Sequence, residues 1–231
     1  MAHMLEERGL PTTVLAIVLS QVVKTRPPRA VMTPFMLGRP LGEPNDAAFQ
    51  RRVLLQALRL LERTDGPVIL EHFPDDNPGW FDRPDWVPAV TLPAPGAVAD
   101  WQAELDLVVP AWERFKTRFG RTTVGLAAQP PEDWAVFATS FLTGALPTVP
   151  AHDTPALALR FLCDDIKALY GEAVQADGAP PSARQIDTWF WRQTVAGKLL
   201  IALRAAAMVS ENNALKTVGG RFFVPAPYLP G

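Results

Sequence analysis

The stretch from Thr25 to Gln50, TRPPRAVMTPFMLGRPLGEPNDAAFQ, joins a short apolar strand to an amphipathic helix through a loop of glycine, proline and arginine. The strand candidate is Ala30 to Phe35, and the loop is Met36-Leu37-Gly38-Arg39-Pro40-Leu41-Gly42-Glu43-Pro44. A helix then opens near Asn45, whose side chain is read as its cap. In an open α/β sheet this junction is the carboxyl edge of a strand, where substrates and cofactors collect. Two glycines among prolines imply turns that other residues resist, or a backbone that approaches something closely. Arg39 between them carries the fork of donors that suits an anion. Gly38, Arg39 and Gly42 are therefore the candidate substrate-binding residues, with a structural turn bearing an exposed arginine as the other reading.

Outward from this loop, MLEER at residues 4–8 has the composition of the last turns of a helix, with Gly9 free to take the left-handed conformation after it. Thr12 to Leu19 is a β-branched and aliphatic run, expected to be a strand buried on both faces. In the helix from Ala47 to Leu61, Phe49, Val53, Leu54, Leu58 and Leu61 recur at spacings of three and four and are expected to face a sheet. Val68 to Leu70 is a third strand candidate. The segment Pro74 to Pro95 has little periodicity and is read as an extended linker, 76–95 in its domain bounds.

Beyond it the pattern is helical. Trp101, Leu105, Val108, Trp112, Phe115 and Phe119 form one seam, on a helix that Pro110 is expected to kink. At about 1.5 to 3 kcal/mol per buried large side chain, the seam is worth on the order of 10 kcal/mol and requires partner helices. Pro131 and Asp153-Thr154-Pro155 are helix starts. Ser182 with Gln185 forms a capping box for one long helix running to about Val209. A last short helix ends near Gly219, and the tail RFFVPAPYLPG is expected to strap across the body. The fold class is thus an α/β N-terminal portion, a partial Rossmann-like sheet of two or three strands over residues 1–75, followed by an all-α domain over 96–231.

Composition narrows the chemistry. A chain of 231 residues with 48% hydrophobic content can bury a core, and a net charge of −2 offers no basic field for nucleic acid. The longest apolar run falls well short of the ~20 residues of a membrane helix, and Glu6 and Glu7 precede it where a signal peptide would be basic. A cytoplasmic protein is expected, with no membrane and no nucleic-acid partner. One cysteine, Cys163, excludes an internal disulfide; within LRFLCDDIK it is read as a buried inert thiol before a nucleophile. His3, His72 and His152 lack second ligands at helical spacing, so no metal is assigned. Asp164, Asp165 and Glu172 share a helix and are read as a cation site or, more simply, a solvated face. Trp189, Phe190 and Trp191 are core or a ligand platform. Neither GxxxxGK[ST] nor GxGxxG occurs, and no cofactor is assigned.

Residues from about Leu5 to Pro74, with LEERGLPT and then PPRAVMTPFMLGRPLGEPNDAAFQRRVLLQALRLLE, resemble the C-terminal part of the selenoprotein B-like proteins of the glycine/sarcosine/betaine reductase and D-proline reductase family. The resemblance covers about the first third of the chain. It implies an oxidoreductase chemistry, the reductive cleavage of a carbon–heteroatom bond by a selenolate or thiolate, on a small anionic substrate. The family's Sec/Cys-x-x-Cys-type motif would lie just before residues 1–8; this sequence has neither selenocysteine nor an N-terminal cysteine, and Cys163 does not align with it. The expectation is a downstream piece of a longer protein begun at an internal Met1 or Met4, or a subunit whose partner carries Sec or Cys. The alternative is a non-catalytic subunit or a ligand- or partner-binding module with a helical interaction domain.

Overall fold

A computed structural model describes residues 1–35, 38–42, 44–75 and 82–229. Met36, Leu37 and Glu43 of the loop, 76–81 of the proline-rich segment and the last two residues of the tail lie outside the described residues. The chain divides into two compact units, Met1–Asp82 and Arg83–Gly231.

The first unit runs α1 (Ala2–Glu6), β1 (Val14–Ala16), α2 (Leu19–Thr25), β2 (Arg29–Met32), α3 (Ala47–Arg59) extended by a 3-10 turn Leu60–Glu62, and β3 (Ile69–His72). The three strands form one parallel sheet in the order β1-β2-β3, with Val14 opposite Ala30 and Arg29 opposite Ile69. Parallel neighbours require crossovers, which α2 and α3 supply. The side-chain alternation of β2 divides the interior in two. Val31 packs with Phe35, Phe49, Val53, Ala57, Leu60, Ile69 and Phe73 on the α3 side. Ala30 joins Ala16 and Val22 on the other.

The doubly buried strand is therefore β2, where Ala30 and Val31 have no exposure, and not Thr12 to Leu19. Only three residues of that run are strand; Leu19 opens α2, of which Val22 alone is buried. A short apolar run has the same composition in either state, and here it is shared between them. The buried stripe of α3 also differs from the expected one. It is Phe49, Val53, Ala57 and Leu60, while Leu54 at 42% and Leu58 at 53% exposure face away. In a leucine-rich helix two stripes satisfy the three-and-four spacing, and Ala57 sits on the one turned to the sheet.

As expected, a helix precedes Gly9, which is left-handed at φ +78°. Its last residue, Glu6, accepts the backbone N–H and hydroxyl of Thr12 at 2.7 and 3.0 Å, and Arg29 Nη1 donates to both carboxylate oxygens at 2.6 and 2.8 Å. One carboxylate thus ties α1 to the start of the central strand.

The second unit is helical and has one core: α4 (Trp101–Phe119), α5 (Pro131–Leu142), α6 (Pro155–Ala173), α7 (Ala183–Gln193), α8 (Val195–Val209) and α9 (Asn213–Val218). Five members of the α4 seam are buried and Phe119 is exposed. Pro110 lies on the exposed side, and α4 continues through it unbroken. The long helix expected from 183 to 209 is two helices. Thr194 is extended, its hydroxyl donates to Phe190 O at 2.6 Å and accepts from Gly197 N at 3.0 Å, so it closes α7 and caps α8. Gly197 permits the tight junction: a Cβ there would lie 2.5 Å from Phe190 O.

From Arg83 onward the proline-rich segment belongs to this unit and is not a free linker. Val90 is buried, Trp86, Ala89 and Leu92 pack on the core, and Ala89 N donates to Val174 O at 3.3 Å. The Gln185 amide brackets Arg83, and Lys198 Nζ donates to Pro95 O at 2.6 Å and Gly96 O at 3.0 Å. Prolines lack N–H donors, so such a segment can lie on a surface without a ladder to satisfy. The tail does strap: Phe223 is fully buried, and Tyr228 stacks on Trp191 at 5.5 Å. Among the described residues, no helix is long and apolar enough to cross a membrane.

The Glu6 carboxyl is held below its ordinary value of 4.5, first by the Arg29 hydrogen bond and then by the Thr12 N–H. A lowered folded-state value stabilises the fold above the unfolded-state value, and that stabilisation is lost as pH falls through the folded one. Glu6→Gln is expected to lower the thermal midpoint of the first unit at pH 7, and the gap between variant and native protein is expected to close as pH drops well below 4.5. Parallel melts across that range check this.

Candidate functional site

The loop after β2 is built on an aromatic floor. Phe35 follows β2, Phe73 follows β3, and Phe49 comes from the first turn of α3; their ring centroids are 5.5 to 5.7 Å apart. All three are buried. Arg52, one turn further along α3, lies 5.5 Å over Phe49 and 5.8 Å over Phe73, and it pairs with Asp75. This platform lies at the carboxyl ends of β2 and β3.

Gly38 and Gly42 are both left-handed, at φ +87° and +91°. Gly42 N donates to Arg39 O at 3.0 Å, closing a turn with Arg39 exposed at its start. The two glycines have different reasons. At Gly38 a Cβ would meet nothing within 4 Å, so backbone conformation alone selects it; at Gly42 a Cβ would lie 2.5 Å from the Phe49 ring. Asn45 takes the left-handed conformation at φ +67° and is not the cap. Asp46 is: its Oδ1 accepts from Phe49 N at 3.0 Å. The same loop thus sets Gly42 against Phe49 in the first turn of a thirteen-residue helix, whose N-terminal dipole is already met by the Asp46 carboxylate. Beside the platform, a groove of about 490 Å³ is lined by Arg52, Gln56, Arg59, Arg63, Glu71 and Phe73. Arg63 pairs with Glu71 at 2.7 Å and with Asp65, whose carboxyl its hydrogen bond lowers to about 2.

The aromatic triad and Arg52 were not foreseen. The available signal was a phenylalanine beside a proline at the end of each strand, TPF at Thr33-Pro34-Phe35 and HFP at His72-Phe73-Pro74. Sequence periodicity does not reveal that the two meet, because strand adjacency brings them together.

The other candidates resolve as structure. Cys163 is fully buried and burial drives its thiol pKa upward, away from thiolate character. Trp189, Phe190 and Trp191 are core. Asp165 and Glu172 are neither a solvated face nor grouped for a cation. Asp165 has no exposure and accepts Gly125, Leu126 and Ala127 N–H groups at 3.0, 3.1 and 2.8 Å. Glu172 accepts the Trp112 indole at 2.8 Å, Thr122 Oγ1 at 2.7 Å, and Thr123 N and Oγ1 at 2.6 and 2.7 Å. Asp164 pairs with Lys167 at 2.9 Å. A third buried carboxylate, Glu104, escaped notice inside the α4 seam. It accepts Val195 and Ala196 N–H at the start of α8, at 2.7 and 2.9 Å, and the Tyr170 hydroxyl at 2.9 Å. Burial, then the neighbouring Glu104, holds that phenol well above its usual range. His3 and His152 contact backbone carbonyls, at Thr25 and Ala127, and His72 is exposed at the end of β3. Among the described residues no three His, Cys, Asp or Glu side chains are grouped to hold a metal ion.

Alanine substitutions separate the two glycine roles. Gly38→Ala is expected to cost about 1 to 2 kcal/mol, the left-handed penalty alone. Gly42→Ala is expected to cost at least about 1 kcal/mol more, because the Phe49 ring must also move. Denaturant midpoints measured on both variants check the order.

No family model, no curated protein and no solved structure matches this chain.

Proposed function

We propose that the chain is a component of a selenoprotein B-like reductase, presenting a small anionic substrate for reductive carbon–heteroatom cleavage while a Sec- or Cys-bearing polypeptide supplies the nucleophile. The observation that carries this is the loop after β2. Two left-handed glycines flank Arg39 at the carboxyl end of the central strand, beside the start of α3. Open parallel sheets take ligands at such a position, and an exposed guanidinium suits a carboxylate. On this reading the three strands are part of a Rossmann-like sheet, Gly38 and Gly42 shape the substrate end of the site, and the protein works in the reducing cytoplasm.

The sealing of Cys163 favours a second form of the same idea: a non-catalytic subunit or binding module that keeps the anion loop without any nucleophile of its own. Both forms require the loop to bind. They differ in whether a chalcogen nucleophile meets the bound ligand.

Calorimetry of the full chain with glycine, sarcosine, betaine and D-proline, zwitterions whose carboxylate is the anionic group the loop would hold, tests the shared requirement. At least one is expected to bind, and Arg39→Gln is expected to weaken it by about tenfold, the scale of one charge-assisted hydrogen-bond pair, with an unchanged circular dichroism spectrum. Failure of all four to bind, or equal binding by the variant, overturns the assignment of the loop.

A further inference from the structure

The outward face of α3 carries a pattern that the sheet does not use. Arg51, Leu55, Leu58 and Glu62 are all exposed, Leu55 at 39% and Leu58 at 53%. At 3.6 residues per turn Arg51, Leu55 and Leu58 fall within an arc of roughly 60°, directly opposite the buried stripe, and Glu62 follows at the end of the 3-10 turn that extends the helix. Neither Arg51 nor Glu62 enters an ion pair among the described residues, whereas Arg52 and Arg63 nearby are paired with Asp75, Asp65 and Glu71.

The order along the stripe is cation, leucine, leucine, anion, at spacings of four, three and four. That pattern is its own complement when reversed. Turning the helix end for end about the midpoint between Gln56 and Ala57 exchanges Arg51 with Glu62 and Leu55 with Leu58. It also exchanges Leu54 with Arg59, whose aliphatic stem can cover a leucine while its charge stays wet. A two-fold interface demands that one patch complement itself in this way.

We propose that this face is where a second copy of the chain docks, α3 against α3 in antiparallel sense. Arg51 of each copy meets Glu62 of the other at the two ends, and Leu55 of each packs on Leu58 of the other at the centre. This withdraws from water the leucines that face away from the sheet. One helix pair buries less than the ~1,000 Å² of a tight interface, so the association is weak, at about micromolar strength. The inference rests on α3 alone and is independent of the anion loop.

Analytical ultracentrifugation of the full chain from about 1 to 200 μM, bracketing that strength, tests it. The native protein is expected to pass from one copy to two over this range. Arg51→Glu and Glu62→Arg singly are each expected to raise the dissociation constant about tenfold by opposing like charges. The double swap Arg51→Glu with Glu62→Arg is expected to restore it, which a merely folded surface would not do. Both positions are exposed, and circular dichroism verifies that each variant folds. A native chain that stays monomeric at the highest concentration overturns the proposal, as does a dimer indifferent to the single reversals or not restored by the double swap.

Discussion

The carboxylate of Glu104 sets the register of the helical unit. It comes from α4, takes two N–H groups at the start of α8, and receives the hydroxyl of Tyr170 from α6, which in turn accepts the Trp101 indole at 3.0 Å. Three helices therefore meet at one buried acceptor. Removing a charge from water costs several kcal/mol, and only a full set of donors and a helix N-terminus offset it. That makes the arrangement specific, because a shifted helix would leave the carboxylate unmatched. Asp165 and Glu172, two turns apart on α6, repeat the device, one gathering the loop at Gly125 to Ala127 and the other the loop at Thr122 and Thr123. These three interior carboxylates are thus committed to holding the unit together.

The sheet unit is arranged differently. Its interior is small, its central strand is four residues long, and its exposed turn carries two glycines in conformations that other residues resist. Buried aromatic rings support that turn from beneath, and Gly42 packs directly on one of them. A turn braced against buried rings holds its backbone in one conformation, which reduces the ordering a ligand would have to impose. On the proposed reading the labour is divided, with scaffold in one unit and recognition in the other.

Much of this was legible in the sequence where a local rule sufficed. The capping box at Ser182 and Gln185, the helix start at Thr154-Pro155 and the left-handed residue at Gly9 depend on neighbours within a few positions, and each stands as read. The glycines at 38 and 42 were legible for the same reason. What escaped depends on distant partners. Glu104 looks like an exposed charge until α8 is brought to it, and Asp165 and Glu172 look solvated until their loops fold over them. The Thr194 break was hidden because the apolar spacing on either side of it reads as helix, and it is the close approach of Gly197 to Phe190 that decides it. On α3 the choice between two leucine stripes was made by the sheet. The chemistry proposed for the loop rests on resemblance as well as on geometry.

The most direct test of this division of labour is an amide NMR titration of the full chain with the small carboxylates, following every assigned backbone N–H. Shifts confined to Gly38, Arg39, Leu41, Gly42 and the first turn of α3 are predicted, with the amides of the helical unit unmoved. Shifts centred instead on the Val195 and Ala196 amides held by Glu104, or on any other part of the helical unit, would contradict it.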